Sequence, residues 1–97
     1  MDVTYMYILR CSDGTYYTGS TRNLRVRVAQ HENGEGANYT KRRLPVQLVH
    51  YEKYDRIDIA FNREHQVKKW SHKKKEALID LNHDQLPPLA KKRSNKK

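Results

Sequence analysis

Tyr5-Met6-Tyr7-Ile8-Leu9-Arg10-Cys11-Ser12-Asp13-Gly14-Thr15-Tyr16-Tyr17-Thr18-Gly19 is the stretch from which the fold follows. Two runs rich in aromatic and β-branched residues flank Ser-Asp-Gly, and Asp-Gly between such runs is a strong hairpin signal. Side chains alternate between the faces of a strand, so the loop length decides which of them meet. A two-residue turn at Asp13-Gly14 would set Tyr7 and Tyr17 on opposite faces. A three-residue loop of Ser12-Asp13-Gly14, with Gly14 in the left-handed conformation, pairs Tyr7 with Gly19 and Leu9 with Tyr17. Both phenols then share one face, beside a glycine that leaves open space. This second register is the one expected.

After the hairpin, Ser20 to Asn23 offers capping side chains, and Leu24 to about Glu32 reads as a helix with Leu24 and Val28 as its apolar pair. Arg27 and His31, also i, i+4, border that stripe. Asn33-Gly34-Glu35-Gly36 ends the helix, and Ala37 to Pro45 reads as a basic loop. Val46 to Tyr54 is a third strand, with Leu48 and Val49 covered on both faces. Asp55 or Asp58 is placed to cap a helix from about Ile57 to Trp70, whose apolar positions are Ile57, Ala60, Phe61 and Val67. Ser71 caps a last short helix, about Lys73 to Asn82, in which Ala77, Leu78 and Leu81 close one end of the core. The class is α+β: a small three-stranded antiparallel or mixed sheet with three helices packed on it. Residues 1–86 form the domain. Residues 87–97, from Pro87-Pro88 onward, form a basic tail expected to be disordered.

Ninety-seven residues suffice for one modest core. The net charge is +9, of which five charges sit on Lys91, Lys92, Arg93, Lys96 and Lys97, so the body carries only +4. A mildly basic body favours an anionic partner. Cys11 is the single cysteine, which argues against a disulfide framework or a zinc motif of cysteine pairs. The N-terminus lacks the pattern of a secretion signal and no apolar run reaches membrane-spanning length, so a soluble, cytoplasmic protein without membrane contact is expected.

One placement is odd. Glu64 lies three after Phe61 and seven after Ile57, on the stripe that faces the core. A carboxylate aimed at a core is costly unless it is paired, metal-bound or facing a cleft. With Tyr7, Tyr17, Arg27 and His31 it makes five chemically able residues, from two strands and two helices, directed toward one region. Each also has an ordinary structural use. The tyrosines can be half-buried sheet residues, Arg27 a surface cation and His31 a helix-end residue favoured by the dipole. Glu64 can pair with Lys68 at i+4 or with Arg27. Two other groupings fail. His65 and His72 do not stand at His-Glu-x-x-His spacing, and Cys11, at a hairpin end, has no oxyanion donors near it in sequence.

Tyr5-Met6-Tyr7, nine residues, then Tyr17-Thr18-Gly19 resembles the paired signature of the GIY-YIG nuclease superfamily. Tyr5, Met6 and Thr18 replace its usual Gly, Ile and Ile. Arg27 matches the arginine of the family's first helix. His31-Glu32-Asn33-Gly34 is similar, with one substitution, to the His-Asn-x-Gly of small stand-alone members. Tyr39-Thr40-Lys41 matches their basic Tyr-Thr segment, and Arg63-Glu64 with Lys68-Lys69 their later helix. Val26 stands where those members usually carry a second arginine. The resemblance covers about residues 5–80, and joint occurrence in this order outweighs the ordinary use of each residue.

What the resemblance implies is metal-dependent hydrolysis of DNA phosphodiester bonds, in the manner of a repair-related endonuclease. Tyr7 would take a proton from the attacking water, with nearby positive charge favouring its phenolate, since a free phenol has a pKa near ~10. Tyr17 would position that water or support Tyr7. Arg27 would bind non-bridging phosphate oxygens, and His31, if protonated, would add positive charge while orienting a phosphate or a tyrosine hydroxyl. Glu64 would hold a single Mg2+ or Mn2+. Lys41, Arg42, Arg43, Lys68 and Lys69 would contact nucleic acid. With little beyond the domain to read bases, a monomer would select its DNA by shape, at branches or single-strand junctions. The alternative is a nucleic-acid-binding module of the same fold with weak or no catalysis.

Overall fold

Residues 3–82 are described by the computed structural model, and the expectations for the 87–97 tail and the 86/87 boundary lie outside them. The hairpin has the expected register. β1 (Thr4–Arg10) pairs antiparallel with β2 (Tyr16–Thr21), setting Tyr7 opposite Gly19 and Leu9 opposite Tyr17. Gly14 closes the loop at φ 85°, a conformation that side-chain-bearing residues avoid. Asp13 locks the turn by accepting from the Thr15 amide at 3.1 Å and the Thr15 hydroxyl at 2.6 Å.

α1 (Leu24–Glu32) begins where Asn23 accepts from the Val26 amide at 3.2 Å, the usual way a short polar side chain satisfies a free helix-end donor. β3 (Gln47–Tyr54) then joins the other edge of β1, so the sheet order is β2-β1-β3 and both pairings are antiparallel. β1 is central, and Met6, Tyr7, Ile8 and Leu9 are all buried. Alternation sends Met6 and Ile8 to one face with Val67 and Ile79. Tyr7 and Leu9 go to the other, with Cys11, Val46, Leu24 and Val28.

Several expectations need correction. The segment read as a loop contains a short helix, α2 (Asn38–Lys41), so four helices surround the sheet among the described residues. It forms because Thr40, fully buried, is drawn into the core by a side-chain bond described below. α3 (Ile57–Lys68) is capped by neither aspartate: Arg56 occupies the N-cap, and its guanidinium pairs with Asp58 at 2.9 Å. Ile57 and Phe61 are exposed, and the buried stripe is Ala60, Glu64 and Val67. α4 (His72–Asn82) starts one residue early, with Ser71 accepting from the Lys74 amide. Its core residue is Ile79. Leu78 is half-buried, while Ala77 and Leu81 face solvent.

On the α3 side a polar network ties helix to sheet. Glu52 accepts from the Arg63 guanidinium at 2.8 and 3.1 Å and from the Tyr54 hydroxyl at 2.6 Å, and it meets His50 Nε2 at 2.8 Å. These bonds outweigh burial and hold the Glu52 carboxyl down at about 2.

Candidate active site

Tyr7 projects from the middle of the central strand, and Gly19, its cross-strand partner, has no side chain to meet it. A Cβ on Gly19 would lie 2.6 Å from the Tyr7 hydroxyl, so the phenol fills the space the glycine leaves. From there the hydroxyl reaches His31 Nε2 at 2.9 Å. His31 Nδ1 lies 2.8 Å from the Thr40 hydroxyl, and that hydroxyl is 3.0 Å from the Ala37 carbonyl. Directions follow from counting protons. A carbonyl only accepts, so the single Thr40 proton goes to Ala37, and Thr40 must accept from His31. His31 is then protonated on Nδ1, and its Nε2 lone pair accepts from Tyr7. Tyr7, His31 and Thr40 are all buried.

Burial sets the charges. It pushes the Tyr7 phenol up to about 12 against the pull of the Arg27 guanidinium, with Tyr17 and Glu64 adding smaller upward pushes. It also holds His31 down at about 4, and the positive charge of Arg27 adds to that effect. The expectation of a protonated His31 favouring a phenolate is therefore corrected. In this site the imidazole is neutral and the phenol keeps its proton, because both charged forms would be desolvated.

Tyr17 shares the face. Its ring lies 5.1 Å from the His31 ring and 6.4 Å from the Tyr7 ring, and it stacks on Tyr39 at 6.1 Å. With Thr18, Tyr39, Lys68 and Lys75 it lines a hollow of about 270 Å³ along the β2 edge. Arg27 donates to Gln30 at 3.0 Å while lying close enough to act on both Tyr7 and His31.

Glu64 arrives from the other face. It accepts from the Ser20 hydroxyl at 2.7 Å, and Ser20 pairs with Met6, not with the tyrosine row. β2 is the edge strand there, and the Glu64 charge still reaches Tyr7, adding a small upward push on its phenol. The carboxylate is buried but not unpaired: its second oxygen bridges Lys68 at 2.9 Å. Among the described residues no three His, Cys, Asp or Glu side chains converge as a metal-binding group. One carboxylate nevertheless fits a magnesium-like cation, which keeps most of its waters and takes phosphate oxygens as further ligands. The half-exposed Lys68 ammonium already marks the position as one that draws positive charge.

The five basic residues differ in their surroundings. Lys41, Arg42 and Lys69 are exposed. Arg43 is committed: it donates to Asp13 at 3.1 Å and to the Tyr39 carbonyl at 2.9 Å, and its guanidinium lies 3.8 Å over the Tyr39 ring. Lys68 is held by Glu64.

The roles of three residues of the site escape a reading of the sequence alone. Thr40 sits in a segment that looks like a basic loop. Ser20 looks like a capping residue, yet it anchors Glu64. Gly36 looks like a helix terminator, but any Cβ there would collide with the His31 imidazole, so its absence makes room for the ring.

The chain matches the GIY-YIG catalytic domain over residues 3–77. It is 52% identical over 75 residues to a UPF0213 protein of Natronomonas pharaonis, covering 77% of this chain and 88% of that one. It is 47% identical over 79 residues to a UPF0213 protein of Staphylococcus saprophyticus subsp. saprophyticus, covering 81% and 96%. Its fold is similar to the solution NMR structure of a UPF0213 protein from Bacillus halodurans, with a TM-score of 0.56 and 40% identity over 84% of this chain and 86% of that one.

Proposed function

This chain belongs to the GIY-YIG catalytic-domain family, a family of nuclease type, and from that premise we propose that it is a divalent-metal-dependent endonuclease that hydrolyses DNA phosphodiester bonds as a monomer, with branched or single-strand junctions as substrates. The bonded chain Tyr7, His31, Thr40 carries this reading, because a buried neutral imidazole beside a protonated phenol is a proton relay at rest.

Tyr7 Oη takes a proton from the attacking water as its own proton passes to His31 Nε2. A free phenolate, disfavoured because burial pushes the phenol up to about 12, need never form. The imidazolium that results is balanced by negative charge building on the attacked phosphate. Thr40 holds the Nδ1 proton, so that Nε2 stays an acceptor. Tyr17, at the mouth of the hollow, positions the water. Arg27 leaves Gln30 to bind the non-bridging oxygens, where its planar fork suits two acceptors. Glu64 would hold the Mg2+ or Mn2+, which when bound supplies positive charge to the phosphate. Lys41, Arg42 and Lys69 contact neighbouring phosphates, and Lys68 joins them once released from Glu64. Arg43 supports the Tyr39 wall.

A panel of flapped, branched, single-stranded and blunt DNAs, incubated with and without magnesium, tests the proposal. Magnesium-dependent incision by the natural chain that is lost in Tyr7→Phe supports it. Incision that survives Tyr7→Phe unchanged refutes it.

A further inference from the structure

The tyrosine face of the sheet holds a second hollow, which the relay does not use. It measures about 890 Å³ and lies between α1 and the β1–β3 half of the sheet. Tyr5, Tyr51 and Leu48 contribute to its lining, the two rings edge to face with centroids 6.1 Å apart. Arg22, Arg25 and Lys53 stand around it, all exposed, and none forms an ion pair with an acid among the described residues. Against these three cations the described lining sets one carboxylate, Glu32. The hollow takes the Arg25, Ala29 and Glu32 flank of α1 and the relay the His31 flank, with Leu24 and Val28 between them on the sheet-facing stripe.

We infer that this groove is a second nucleic-acid site, which takes an unpaired single strand. Cations with no internal partner suit a phosphate backbone, and an aromatic floor suits bases whose faces are free. A duplex offers no free base faces to the rings, so the groove holds it poorly, and it is expected on Lys41 and Arg42 instead. An acidic peptide would likewise satisfy the cations and leave the floor wet. The inference rests on the nuclease reading of the other flank of α1. It gives the junction of that reading a place on the molecule: the strand to be cut crosses the Tyr17 side, and an unpaired arm lies in the groove. One small domain thereby recognises a junction, with one arm on each side of a helix.

The test is fluorescence anisotropy, without magnesium, of a labelled oligothymidylate of about ten nucleotides and of a blunt duplex of the same length. The double variant Arg25→Gln, Lys53→Gln changes exposed side chains outside the relay, so the fold is retained. The expected result is at least a tenfold loss of affinity for oligothymidylate, with a log–log salt slope shallower by about 1.4, which corresponds to two phosphates on a single strand. Duplex affinity should change less than twofold, whereas Lys41→Gln with Arg42→Gln should weaken duplex binding. Equal losses on both probes, or no loss on oligothymidylate, would overturn the inference. So would full displacement of the bound oligothymidylate by an equimolar glutamate-rich peptide. None of these outcomes depends on cleavage, so the groove and the Tyr7 reading fail separately.

Discussion

Two polar networks are built on this sheet, one on each face, and they are opposites. On the α3 side, Glu52, Arg63, His50 and Tyr54 converge on a carboxylate held ionised down to about 2. On the α1 side, Tyr7, His31 and Thr40 form a chain in which every group is neutral, with the phenol at about 12 and the imidazole at about 4. The first matches the Glu52 carboxylate with the Arg63 guanidinium, which ties α3 to the strands. The second has a phenol proton already donated to the Nε2 lone pair, with Oη and Nε2 2.9 Å apart. Charge compensation marks structure here. A polar chain that buries its groups uncharged and aligned marks chemistry.

Substitutions should separate the two faces, and the largest effect is expected at Tyr7. Tyr7→Phe should lower cleavage by about 10²–10⁴-fold, the range of general acid–base catalysis, while thermal stability falls only by the about 1 kcal/mol of one lost hydrogen bond. Arg63→Gln should do the reverse. Leaving Glu52 without its cation should lower the unfolding free energy in urea by about 3 kcal/mol, with kcat of the folded protein unchanged. A variant that lost both properties at either position would erase the distinction.

Thr40→Val sharpens it further. Removing the hydroxyl frees His31 to carry its proton on either nitrogen, and cleavage should drop about 10–100-fold, the scale at which the partner of a functional histidine acts. Thr40→Ser should restore most of it, whereas a purely packing role would leave serine nearly as poor as the hole it makes.

How far these features were legible in the sequence follows from the range of the interactions. The register was, because Ser12-Asp13-Gly14 fixes it locally and alternation then sets Tyr7 against Gly19. The burial of Glu64 was anticipated from the wrong neighbours: Ile57 and Phe61 look like the apolar stripe but are exposed, and Ala60 and Val67 flank it instead. Small residues are chosen where a helix approaches a sheet closely, and size alone points elsewhere. Likewise Ile79 closes the core with Leu78 packed beside it, while Leu81 faces solvent. Thr40 and Gly36 were illegible because their meaning lies in one imidazole reached through tertiary folding.

The smallest effect is a difference in acid response. His31 has a folded pKa below its unfolded value, so the stability it contributes is complete above about pH 6.5 and is lost as pH falls toward 4. Between pH 7.5 and 5.5 that loss amounts to about 1 kcal/mol and should shrink in His31→Gln. Glu52 is also depressed, and its contribution, present above about 4.5, is lost only as pH falls toward 2. Denaturant titrations at stepped pH should therefore show the relay face weakening first.

The neutral relay itself is open to direct observation by long-range ¹H–¹⁵N NMR of the imidazoles in uniformly ¹⁵N-labelled protein. At pH 7 the His31 ring should appear as the neutral tautomer protonated at Nδ1, with Nε2 shifted as an acceptor, and should not titrate until the pH falls below about 5. A ring protonated at Nε2, or one that titrates near 6.5, would contradict the account.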